Sequence, residues 1–258
     1  MFPIRDDNPH FLTPLVTVGI IALNAIAWAF AQGLGSEPAL SRSVCLLGLT
    51  PGELLNTLPA GTRFQIGPDT YCALTDSSSS YTLLTSMFMH GGWMHLISNM
   101  WFLWIFGNNV EDSMGHVRFA LFYLLCGLVA AAGQLISNPD SGVPMVGASG
   151  AIGGVMGAYV VLYPRVHVHM LIFLGFFITT VAVPAVFMLG YWFLLQVLGG
   201  FGSMGDSGGG TAFWAHIGGF VAGAALIRLF QLQVMVARHP YHGWSQRRSP
   251  TASWRRTR

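Results

Sequence analysis

Two short stretches, Gly147-Ala148-Ser149-Gly150 and Ala215-His216-Ile217-Gly218-Gly219, each set one reactive side chain at the mouth of an otherwise apolar run. A polar group in such surroundings is costly unless it finds a partner. A serine hydroxyl and an imidazole satisfy one another, and together they are a nucleophile with its general base. A third stretch carries His95 and Asn99, four residues apart and so on one face of a helix. Imidazole N–H and carboxamide N–H₂ are donors, which is what a developing oxyanion requires. Gly147 and Gly150 let the chain turn sharply around Ser149 and expose its backbone N–H at a helix N-terminus, where the dipole favours negative charge. The chemistry these residues could perform is acyl transfer to serine followed by hydrolysis.

The elements that must position them are membrane helices. Hydrophobic residues make up 53% of the chain and charged residues 9%, against about 25% charged in soluble domains; mean hydropathy is +0.56. Charged side chains leave six long charge-free windows, 8–36, 77–110, 119–139, 141–164, 166–205 and 207–227. Each holds the roughly 17–25 residues a spanning helix needs. The spacing predicts helices near Leu12–Gln32, Met94–Val110, Phe119–Ile136, Gly147–Tyr163, Leu171–Leu198 and Thr211–Leu232. None of these runs alternates as a barrel strand does. The expected fold is all-α: a polytopic membrane protein with a six-transmembrane-helix bundle over 12–232, a short N-terminus at 1–11 and a tail at 233–258.

Orientation follows from the arginines, since the chain contains no lysine. Arg118 and Arg165 fall in the second-to-third and fourth-to-fifth connections, and Arg238, Arg247, Arg248, Arg255, Arg256 and Arg258 follow the last helix. The positive-inside rule therefore expects both termini in the cytoplasm. The second, fourth and sixth helices then all enter from the external face, bringing His95, Asn99, Ser149 and His216 to one level. Gly153, Gly154 and Gly157 on the fourth helix, and Gly219 with Gly223 on the sixth, allow the close approach that would bring His216 onto Ser149. The net charge of +2 is mostly the tail, which is expected to be disordered and to touch anionic lipid; no nucleic-acid signal is present. Asp6 and Asp7 spoil the positive region of a signal peptide, so the first helix is expected to be retained.

Each element also admits a plainer reading. A GxSG in a glycine-rich helix suits packing, Asn99 could tie helices together, and His90 could stabilise the loop before the second helix. Zinc on His90, His95 and His216 is conceivable, but it would leave Ser149 and Asn99 unexplained, and no metal or other cofactor is expected. Cys45 and Cys72 both fall in the long first loop, 33–80, where they could pair or remain two free thiols, while Cys126 reads as packing. His167 and His169 lie on the far side, away from the site.

Three motifs in order, His90-Gly-Gly-Trp-Met-His95-Leu-Ile-Ser-Asn99, Gly147-Ala-Ser149-Gly150 and Ala215-His216-Ile-Gly-Gly219-Phe-Val-Ala-Gly223, resemble those of the rhomboid intramembrane serine proteases. The resemblance runs from the first helix to the sixth. It implies a Ser149–His216 dyad without an acid, with His95, Asn99 and the Ser149 N–H as oxyanion hole. Gly147, Gly150, Gly219, Gly223 and His90 would support the site. It also implies single-span membrane proteins as substrates, cut in or near their transmembrane segments, and a multi-pass location in the bilayer, in a bacterium the inner membrane. Glu111 and Gly115 match the family's structural turn after the second helix. The Trp-Arg pair that rhomboids often carry in the first loop reads Tyr81-Thr82 here. The rival readings are an inactive rhomboid-like protein that binds membrane clients, and a transporter. Substrate identity, oligomeric state and the role of the first loop are not written in these residues.

Overall fold

The computed structural model describes residues 2–67, 70–75, 80–174, 177–203 and 211–243. The chain starts with strand β1 (Phe2–Asp6) and helix α1 (Leu15–Phe30). An excursion follows, holding α2 (Ala39–Leu47), α3 (Pro51–Leu54), the hairpin β2 (Arg63–Gly67) and β3 (Thr70–Ala73), and α4 (Thr82–Thr85). Then come α5 (Trp93–Met114), α6 (His116–Ser137), α7 (Ser149–Leu162), the hairpin β4 (His167–Leu174) and β5 (Phe177–Pro184), α8 (Ala185–Gly202), α9 (Phe213–Phe230) and α10 (Gln233–Val236). By length and composition α6, α8 and α9 can cross a membrane, and α1 and α7 are shorter apolar helices.

Helix α7 is the centre of the bundle. It is apolar all round and buried along almost its whole length, the pattern of a helix enclosed on every side. Its C-terminus is set by Tyr163-Pro164, since the residue before proline avoids helical backbone. Against it, α9 packs backbone to backbone. A Cβ at Gly219 would run into the Gly150 carbonyl, one at Gly223 into the Gly154 carbonyl, and one at Gly157 into the Phe220 carbonyl.

At the end of the bundle away from Ser149, buried carboxylates fasten the chain together. Helix α1 has no side-chain cap of its own. Instead Glu111 accepts the N–H groups of Val16 and Thr17 at 2.9 and 2.8 Å and the Thr17 hydroxyl at 2.7 Å, satisfying donors that every helix start leaves orphaned. Asp112 accepts the N–H groups of Phe11 and Leu12 and lies 3.1 Å from His239 Nε2. The Tyr159 hydroxyl donates to Asp6.

Three expectations need correction. The fold is mostly helical rather than all-α, with a three-stranded sheet β1-β4-β5 and the two-stranded β2-β3. The expected helix over Leu171–Leu198 is a β-hairpin up to Pro184, and only Ala185 onward is helical. Hydropathy cannot distinguish these; the β-branched run Ile178-Thr179-Thr180-Val181 favours the strand, and β5 pairs antiparallel with β4, whose other edge pairs with β1. The described part of the 233–258 tail, up to Gly243, is ordered, with α10 and buried Val236 and His239. Residues 244–258, and 204–210 of the glycine-rich connection, lie outside the described residues.

The first loop is built as a small unit. Cys45 and Cys72 form a disulfide that ties α2 to β3. Its Leu49 pairs backbone with Met145 in both directions, at 2.9 and 2.8 Å, and Gly52 N–H donates to the Ser141 carbonyl at 2.8 Å. The far end of the Phe64 ring lies against Gly142, leaving no room for a side chain there. Where the Trp-Arg pair is replaced, the Tyr81 hydroxyl donates to the Leu46 carbonyl at 3.3 Å and the Thr85 hydroxyl to the Leu47 carbonyl at 2.8 Å.

Candidate active site

Ser149 is the first residue of α7, so its backbone N–H has no partner within the helix. The preceding turn needs glycine at Gly147, which has φ +126°; a Cβ there would also lie 2.7 Å from His95 Nε2. Gly147 N–H is held by the Ser86 carbonyl at 2.9 Å. One turn into α9, His216 points its Nε2 at the Ser149 hydroxyl, 2.8 Å away. The glycine contacts between α7 and α9 make this distance possible.

The other ring nitrogen, His216 Nδ1, lies 2.8 Å from the Gln196 amide oxygen on α8. Trp192, one turn earlier on α8, lays its ring 5.8 Å from the imidazole at an interplanar angle of 36°. Sequence reading passed over Gln196. The signal was present, because a glutamine inside the charge-free window 166–205 must find a polar partner. Its partner could not be read without knowing which face of α8 meets α9.

His95 and Asn99 sit on α5 and line the same cavity of about 580 Å³ as Ser149, His216, Trp192 and Met145. The Gly91 N–H donates to His95 Nδ1 at 3.3 Å, so Nε2 carries the proton and faces the Gly147 turn as a donor. Asn99, buried, gives one amide hydrogen to the His95 carbonyl at 3.0 Å and keeps a second. His90 lies outside this cavity: its ring is fully buried 5.1 Å from that of His95. Its backbone exchanges hydrogen bonds with the Gln32 amide, at 2.8 and 2.7 Å. Burial, and secondarily the neighbouring His95, lower its pKa from 6.5 to about 3, so it is neutral at physiological pH. Among the described residues no three His, Cys, Asp or Glu side chains are grouped to hold a metal ion. Gly150, Gly219 and Gly223 lie in the α7–α9 contact rather than in the cavity wall around the reacting atoms, apart from Gly150, which touches both.

A serine and a histidine thus stand in hydrogen-bond contact at the mouth of a buried helix, inside a bundle of apolar helices of the kind that lie in a membrane. Residues 77–232 match the family described as Rhomboid domain. Rhomboid protease GluP of Bacillus subtilis (strain 168) is 34% identical over 159 residues, covering 61% of this chain and 30% of that protein. RHOMBOID-like protein 5 of Arabidopsis thaliana is 27% identical over 167 residues, 58% of this chain and 53% of that protein. Inactive RHOMBOID-like protein 8 of the same plant is 27% identical over 154 residues, 57% and 43% of the two chains. The chain belongs to the rhomboid family and is an integral membrane protein. It matches between 30% and 53% of the length of these relatives.

Proposed function

We propose that the protein is an intramembrane serine endopeptidase that hydrolyses peptide bonds in or near the transmembrane segments of single-span membrane proteins. The observation that carries this reading is the 2.8 Å contact between Ser149 Oγ and His216 Nε2. Ser149 attacks the scissile carbonyl while His216 Nε2 takes its proton. The oxyanion is received by the Ser149 N–H, His95 Nε2–H and the spare Asn99 N–H. His216 then protonates the leaving amine, and water repeats the cycle on the acyl-enzyme. No cofactor enters any of these steps.

Six spans, α1, α5, α6, α7, α8 and α9, fit this reading, with the Arg118, Arg165 and Arg238 ends in the cytoplasm and, in a bacterium, the inner membrane as the location. With its 14 residues, α7 reaches about 21 Å at ~1.5 Å per residue, short of the roughly 30 Å hydrocarbon core. Ser149 at its start would therefore lie below the external surface, and the cavity above it would admit water and substrate.

Incubation with a fluorophosphonate, together with cleavage of a single-span test substrate, decides the matter. Wild type should label and cut; Ser149→Ala should do neither, with an unchanged melting temperature, because one oxygen is removed at a helix mouth. Cleavage by Ser149→Ala at the wild-type rate would end the serine-protease reading. A folded wild type that neither labels nor cuts would instead favour a non-catalytic client binder; one relative of this chain carries the word inactive in its name.

A further inference from the structure

We propose that Gln196 is a positioning residue for His216, whose amide oxygen holds the imidazole in the Nδ1–H tautomer so that the Nε2 lone pair faces Ser149. The inference rests on the serine-protease reading above and adds a third group to a pair that otherwise has none. Its basis is the direction of each hydrogen bond. The Gln196 amide nitrogen donates to the Trp192 carbonyl at 3.4 Å. Turning the amide over would set carbonyl oxygen against carbonyl oxygen. The oxygen therefore points the other way, to His216 Nδ1 at 2.8 Å. An oxygen there accepts only, so Nδ1 must carry the hydrogen. A neutral imidazole has one N–H; Nε2 is left as an acceptor, 2.8 Å from the Ser149 hydroxyl. Trp192 lies against the ring, and Gln196 is itself buried. Three contacts therefore set the plane, tilt and tautomer of the imidazole.

During the reaction the Ser149 proton moves to Nε2 and the ring becomes an imidazolium with both nitrogens protonated. The Nδ1 proton stays where it is, hydrogen-bonded to Gln196, and the Nε2 proton leaves on the departing amine. Gln196 gains and loses nothing. A carboxylate in its place would also accept from Nδ1–H, but without its imidazolium it would be an isolated charge among apolar helices. The amide supplies the accepting oxygen without that cost.

The test uses the full chain in detergent, with Gln196→Met, which keeps the volume and loses the acceptor, and Gln196→Glu, which keeps an acceptor. Four quantities are read: fluorophosphonate labelling rate, kcat and KM on a single-span substrate, melting temperature, and the ¹⁵N spectrum of histidine-labelled protein with His216 assigned by His216→Ala. Gln196→Met should lower labelling rate and kcat by about tenfold or more, with KM within about twofold, and its His216 signal should move from one tautomer to a mixture. Gln196→Glu should recover most of the lost rate. Wild-type labelling together with an unchanged His216 spectrum in Gln196→Met would overturn the inference and leave the serine-protease reading standing. Equal loss in Gln196→Met and Gln196→Glu, tracking a lowered melting temperature, would also overturn it by making Gln196 a helix tie. If wild type itself fails to label, the serine-protease reading falls, and the tautomer shift alone then decides whether Gln196 orients His216.

Discussion

Asn99 is where a packing role and a chemical role give different numbers. Its amide already gives one hydrogen to the His95 carbonyl, a contact that would suffice to hold a helix face. The second amide hydrogen, in a cavity shared with Ser149, matters only once an oxyanion exists. Charge present only in the transition state affects kcat and leaves KM alone. Asn99→Ala is therefore expected to remain folded, with kcat reduced by about tenfold or more and KM nearly constant. The Ser149 N–H and His95 remain as donors, which softens the loss. A kcat within about twofold of wild type, beside a lowered melting temperature, would make Asn99 a packing residue.

At the scale of elements, the reacting distance is set by how closely α7 and α9 approach. Gly219 faces the Gly150 carbonyl so closely that even a methyl group must displace one helix. Gly219→Ala should therefore cost about 1–3 kcal/mol of stability and lower the labelling rate, because His216 lies one turn before Gly219. Gly190 on α8 is the control: nothing lies within 4 Å of a Cβ there, and Gly190→Ala should label at the wild-type rate with equal or higher stability. Labelling unaffected by Gly219→Ala would show that the α7–α9 contact does not set the reacting distance. The first loop also reaches the cavity. Its pairing of Leu49 with Met145 holds a residue that lines the cavity, and the disulfide closes a 27-residue separation within that loop. Replacing both Cys45 and Cys72 by serine should cost on the order of 3–4 kcal/mol and raise KM more than it lowers kcat. An unchanged KM would separate the loop from substrate binding.

For the whole molecule, the far end of the bundle predicts a dependence on pH. Burial raises the Asp6 carboxyl from 3.8 to about 6, against the opposing pull of the Tyr159 hydroxyl. The folded protein thus binds this proton more tightly than the unfolded chain does. The resulting stability is fully present below 3.8 and is lost as pH rises through about 6. Asp6→Asn keeps an acceptor for Tyr159 and stays neutral. Its melting temperature should match wild type at pH below 3.8 and exceed it by a few degrees above about 6. His90, held neutral by burial, contributes the opposite slope, losing stability as pH falls below 6.5, but it does so in both proteins and cancels in the difference. A difference between the two melting curves that is flat across pH would show that Asp6 is not perturbed by its burial.

Much of the candidate site is legible in the sequence. A serine and a histidine in apolar runs each need a partner, glycines at helical spacing mark close backbone approach, and the alternation of helices set by the arginines brings His95, Asn99, Ser149 and His216 to one level. These follow from the cost of polar groups in lipid and from the period of a helix, which are local properties. Tertiary structure alone decided the rest. Hydropathy reads 171–184 as part of a span, yet this stretch folds into a hairpin with β4, and β4 in turn pairs with β1, an interaction across more than 160 positions of chain that no local pattern carries. Cys45 and Cys72 could pair or not until the fold of the first loop brought them together. Gln196 was a lone amide in a long apolar window, and which atom it meets depends on the rotation of α8 against α9. The residue types write the chemistry into the sequence; partners distant in the chain are chosen by packing.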